Sequence, residues 1–92
     1  MTILRETSSP SDPQALALSA LGWVLAEQSR ADRFLSLTGL TPDELRASLM
    51  ERGTLTAVLD FLASHEPDLL AAADALGIKP EALVAARARL GA

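Results

Sequence analysis

Apolar residues recur at helical spacings in six stretches, separated by glycine, proline and cap-forming side chains, and this pattern predicts a chain of short helices. The sharpest punctuation is Phe34-Leu35-Ser36-Leu37-Thr38-Gly39-Leu40-Thr41-Pro42-Asp43-Glu44-Leu45. Gly39 can enter the left-handed conformation just past a helix end, with Leu40 folding back onto Leu35. Thr41 can cap the next helix, Pro42 suits its first position and Glu44 can reach back to Thr41. Leu40 before the cap and Leu45 at the fourth helical position form a hydrophobic staple. A rigid corner is expected.

Taken in order, residues 1–10 mix Thr, Ser, Pro and one charge of each sign with only Ile3 and Leu4 to bury, and predict a loose, disordered tail. Residues 11–92 then form a single helical domain, because no linker rich in Gly, Ser or Pro divides them. Ser11 or Asp12 caps a first helix that Pro13 opens and that runs to about Gln28. Its Leu16, Leu18, Leu21, Trp23, Val24 and Leu25 cover more than half its circumference, which marks a central helix or one shared with a partner. The remaining strip, Ala15, Ser19, Gly22 and Ala26, is narrow enough to let another backbone come close. Gly22 costs roughly 1 kcal/mol of helix propensity against Ala, and close packing would compensate.

Ser29 and Asp32 resemble a cap for a short helix bearing Phe34, Leu35 and Leu37 that ends at Gly39. A third helix runs from Pro42 to about Arg52 and stops at Gly53. Thr54 caps a fourth with Leu55, Val58, Leu59, Phe61 and Leu62 on its inner face. Glu66-Pro67 interrupts the chain before a fifth helix presenting Leu69, Leu70, Ala73 and Leu76, and Gly77 ends it. The sixth spans Pro80 to Leu90. Residues 38–45 and 76–83 align at an offset of 38 as helix, glycine corner and proline-initiated helix. Two convergent corners explain that match as well as duplication does.

Composition narrows the picture. With 18 Leu and 17 Ala against two Phe, one Trp and no Tyr, the chain is rich in helix formers and poor in strand formers. Without cysteine there are no disulfides, thiolate chemistry or cysteine-ligated metal, which suits a reducing compartment. A net charge of −4 argues against a nucleic-acid surface, whose affinity comes from neutralising phosphates. The apolar run from Ala15 to Ala26 is shorter than the ~20 residues a bilayer needs, and no secretory signal is visible, so a cytoplasmic protein without membrane contact is expected.

Candidate chemistry is sparse. The sole histidine, His65, falls near the end of the fourth helix with Asp60, Glu66 and Asp68 close in sequence. There it can hydrogen-bond the last carbonyls, or serve as an acid or base in a small enzyme; the capping role fits better because no second ligand or partner stands at helical spacing. Ser64 and His65 point about 100° apart on a helix and do not form a hydrolytic pair with Asp60. The acids Asp12, Asp32, Asp43, Glu44, Asp68 and Glu81 sit where helices begin, and Arg87 and Arg89 where the last one ends, as the helix dipole favours. No phosphate loop, metal-spaced cysteine pair or calcium loop occurs, so no catalytic residue, metal site or cofactor is expected.

The main alternative is a DNA-binding helix-turn-helix over residues 69–90, with Ala73 at the crossing and Gly77 in the turn. Its reading surface would show Glu81, Ala82, Val84 and Ala85, leaving Lys79, Arg87 and Arg89 as the only candidate DNA contacts. That is a poor surface for base edges.

Phe34-Leu35 with Leu37-Thr38-Gly39-Leu40, then Leu45-Arg46, Val58-Leu59-Asp60-Phe61-Leu62, Leu76-Gly77, Pro80-Glu81-Ala82 and Ala86-Arg87 resemble domain-of-unknown-function family 3572, a family of short bacterial proteins. The resemblance covers about residues 15–90. It implies a small stand-alone bacterial protein of the cytoplasm and supplies no activity or cofactor.

Together these observations predict an all-α protein, a compact orthogonal bundle of five or six short helices. The expected role is a non-catalytic protein-interaction or regulatory module that binds an unknown protein partner or forms a homodimer. The candidate contacts are Trp23, Leu16 and Val24 on the first helix, left over from the core.

Overall fold

Asp12 accepts hydrogen bonds from the backbone amides of Gln14 and Ala15 at 3.1 and 3.3 Å, and Pro13 occupies the first helical position where a donor is not missed. From that cap a computed structural model describes residues 12–91 as six helices with no strand among them. They are α1 (Pro13–Leu25), α2 (Gln28–Thr38), α3 (Pro42–Ala47), α4 (Arg52–Ala63), α5 (Glu66–Leu76) and α6 (Pro80–Gly91). The protein is an all-α helical bundle. The tail expected over residues 1–10 lies outside the described residues.

Three helices make the centre. The most extensive packing is between α4 and α6, α1 and α6, and α1 and α4, with α5 and α2 added around them. α1 contributes Leu16, Ala17, Ala20, Leu21 and Val24, all buried, as a central helix should. Leu55, Val58, Leu59 and Leu62 of α4 and Leu83 of α6 are essentially inaccessible to solvent. Burying such a side chain contributes about 1.5–3 kcal/mol. Phe34 of α2 meets Phe61 of α4 edge to face, ring centroids 5.4 Å apart and planes at 82°, which ties the short α2 to α4.

The corner at residues 38–45 has the predicted chemistry. Gly39 is left-handed (φ 76°), Glu44 donates its amide to Thr41 Oγ1 at 3.1 Å, and Thr41 donates its own to Glu44 Oε1 at 2.9 Å. Gly77 repeats the left-handed conformation (φ 71°) between α5 and α6.

Three boundaries differ from the sequence reading. α1 ends at Leu25 rather than near Gln28, because Glu27 is extended (φ −123°, ψ 129°) and Gln28 already opens α2; Ser29 lies inside α2 and caps nothing. α3 stops at Ala47, well before Gly53. Ser48 turns out of the helix, donating its hydroxyl to the Leu45 carbonyl at 3.3 Å and accepting from Thr54 Oγ1 at 3.0 Å. Glu51 stands at the start of α4, and Gly53 and Thr54 lie within its first turn. Thr54 is therefore spent bracing the preceding turn instead of capping. His65 follows the end of α4 and occupies the cap position of α5, with no side-chain cap bond.

Candidate functional site

The residues expected to meet a partner sit elsewhere. Leu16 and Val24 are buried in the core, packed by α1's own bundle neighbours, so neither is available on the folded chain. Trp23 is half-buried and its ring is already covered: the Arg30 guanidinium stacks 3.5 Å from the ring centroid, donates to the Trp23 carbonyl and pairs with Glu27 at 3.1 Å. The turn between α1 and α2 produces that stack by bringing a cation seven residues on against the end of α1. The small strip Ala15, Ser19, Gly22 and Ala26 is exposed, and a Cβ at Gly22 would meet nothing within 4 Å. The close approach expected at Gly22 is not made among the described residues.

His65 is exposed, its Nδ1 2.9 Å from Asp68 Oδ2; the same carboxylate accepts from Arg33, whose guanidinium lies 5.0 Å from the Phe61 ring. The cluster ties α2 to α5 through one carboxylate instead of capping α4. Ser64 Oγ donates to the Phe61 carbonyl at 3.0 Å, and Asp60 binds Arg87 through both oxygens, at 2.5 and 3.3 Å. The three side chains that a hydrolytic triad would need are thus each committed to a different partner. No group of three or more His, Asp or Glu among the described residues is arranged to hold a metal ion.

The basic residues considered for DNA are similarly dispersed. Arg87 faces α4, and its hydrogen bond to Asp60, reinforced by the carboxylate's charge, raises its pKa above an already high ordinary value. Arg89 has an interaction of its own, while Lys79 is exposed in the corner before α6. The outer face of α6 shows Glu81, Val84, Ala85 and Ala88.

Large apolar side chains nevertheless reach solvent: Leu37 is 69% exposed, Met50 61%, Val84 49%, Leu70 48% and Leu25 41%. Leu37 and Leu70 belong to the apolar sets that the sequence assigns to α2 and α5. α2 turns Phe34 rather than Leu37 to the core, and α5 buries Ala72 and Ala73. Among the described residues, shallow grooves open beside three of these side chains, Leu37, Leu25 and Val84. Leu37, Thr38, Ala57, Asp60, Phe61 and Ser64 line about 290 Å³ between α2 and α4. Leu25, Leu35, Pro42, Leu45, Arg46 and Leu49 line a second of similar size. The largest of these three, about 420 Å³, lies between α5 and α6 and is lined by Leu69, Pro80, Glu81, Val84, Ala85 and Ala88.

Charge separates the three. In the first groove Asp60 is paired with Arg87, and in the second Arg46 is paired with Asp43 at 2.7 Å. In the third, Glu81 is the one charged lining residue, and no cation among the described residues pairs with it. Glu81, Val84, Ala85 and Ala88 follow the i, i+3, i+4, i+7 spacing of a helix-contact stripe, on the side of α6 away from the buried Leu83, Ala86 and Leu90. The sequence signal was present in this spacing, but it reads equally as a poor DNA-reading face until the inner stripe is known.

A family model described as a protein of unknown function, DUF3572, matches residues 10–92, and the chain belongs to that family. No curated protein and no solved structure matches it. No described helix is long and apolar enough to cross a membrane.

Proposed function

We propose that this DUF3572 protein is a non-catalytic protein-interaction module of the bacterial cytoplasm and that the α5–α6 groove is its docking face. The observation that carries the reading is the second stripe on α6: an apolar surface at helix-contact spacing, half-exposed at Val84 and floored by Ala85, Ala88 and Leu69. Small side chains let another helix axis approach closely, and an amphipathic helix in an apolar groove is a recurrent mode of protein recognition. The engagement of His65, Ser64 and Asp60 in contacts between or within helices supports a non-catalytic role.

The reading is tested by placing the photoreactive residue p-benzoylphenylalanine at Val84 in the full chain in living cells, with the same residue at exposed Asp43 on α3 as control. A covalent adduct of discrete mass is expected from position 84 only, and a second substitution, Ala85→Arg, should remove it. Equal labelling at both positions, or none at 84, would overturn the proposal.

A further inference from the structure

Resting on that reading, we infer that the occupant of the groove is a second copy of this chain, with its α6 laid antiparallel across the same stripe. The charges at the two ends of α6 are opposite: Glu81, on the stripe, stands in the first turn, and Arg89, exposed on the stripe's flank, in the last. The middle, Val84, Ala85 and Ala88, is apolar and small. A two-fold axis between Val84 and Ala85 sets position 81 opposite 88 and position 80 opposite 89. Each Glu81 carboxylate then falls beside Arg89 of the other copy, and the pairing occurs twice, as isologous contact requires. A parallel pairing in register would instead set Glu81 against Glu81, which costs energy in the apolar setting of the groove.

The groove thus supplies both shape and charge for its own copy. Arg89 already makes one contact, and a guanidinium with five N–H donors can serve a second carboxylate. The net charge of −4 on each chain opposes association at long range, but that repulsion is screened beyond about 8 Å at physiological ionic strength. Since the contact centres on one helix pair with Leu69 at its flank, it should bury less than the ~800 Å² per partner of a standard interface, and the dimer should be weak.

The test uses the purified full chain in sedimentation velocity from low micromolar to near-millimolar concentration, with circular dichroism to verify that each variant folds. A dimer fraction rising with concentration is expected. Glu81→Arg and Arg89→Glu should each weaken it several-fold, and the two together should restore it, because the charges have exchanged places. The chain has no cysteine, so Ala85→Cys supplies a single thiol near the axis; on mild oxidation it should cross-link faster than Ala47→Cys on exposed α3. A monomer at every concentration, cross-linking at position 85 no faster than at 47, or a double reversal that fails to restore pairing would each overturn the inference. If such a monomer still gives a Val84 adduct with a different protein, the docking face stands and only its occupant changes; with no adduct, both fall.

Discussion

The two glycine corners share a backbone and differ in what holds them. Gly39 and Gly77 have nearly the same left-handed φ, and each precedes a helix opened by proline. At the second corner the main chain closes on itself: Gly77 donates to the Asp74 carbonyl and Ile78 to that of Ala73, at 3.1 and 3.0 Å. At the first, only Gly39 makes such a bond, to Leu35 at 2.8 Å, and side chains supply the rest. Leu40 donates to Thr38 Oγ1 at 3.3 Å, Thr38 in turn donates to the Phe34 carbonyl at 3.0 Å, and the Thr41–Glu44 box follows. The helix each corner delivers explains the contrast. α6 packs on α1, α4 and α5, so tertiary burial holds its start, whereas the six-residue α3 has no extensive packing partner and depends on local bonds.

Core truncation should break the apparent equivalence most. Leu45 and Leu83 hold corresponding positions after the two prolines, and both are buried. Leu83→Ala is expected to cost about 2–5 kcal/mol in urea or thermal unfolding, with Leu45→Ala well below it. Equal losses would mean that α3 is as deeply integrated as α6. Alanine at the glycines should show what the corners have in common. Gly39→Ala and Gly77→Ala each impose left-handed strain of about 1–2 kcal/mol on a residue whose Cβ otherwise meets nothing within 4 Å. Similar destabilisation at both sites is expected; a large difference would place the strain in side-chain packing instead.

The same contrast explains which features the amino-acid sequence discloses. Gly39, Thr41, Pro42 and Glu44 act within one turn of each other, so their chemistry is readable in a line of residues, and so is the glycine at 77. The end of α3 depends on Ser48 meeting Thr54, and the cover over Trp23 on Arg30, seven residues later; neither contact is implied by helical periodicity. The exposure of Leu37 and Leu70 is not legible either, because an apolar side chain on a helix indicates a preference for burial without saying whether a neighbour is there to provide it. The candidate site was the least legible part. Its defining property is that one stripe of α6 is used by the core and the other is not, and that follows only from how α1, α4 and α5 pack.

The smallest effect sharpens the comparison most finely. Thr41→Ala removes the oxygen that accepts the Glu44 amide, a loss of about 1 kcal/mol for a helix N-cap. Because α3 lies outside the main packing, the loss should appear in amide hydrogen exchange as easier local opening of residues 42–47, with a smaller change in global unfolding. At the second corner the residue before the proline is Lys79, which has no side-chain acceptor, so Lys79→Ser adds the missing cap oxygen. The third residue of α6 is Ala82, not Glu, and a full capping box cannot form. The gain should therefore be only a few tenths of a kcal/mol, and it should appear in global unfolding, because α6 opens only when the core does. A Lys79→Ser protein protected locally at residues 80–85 with no global change would show instead that α6 frays independently and that both corners are held by their own bonds.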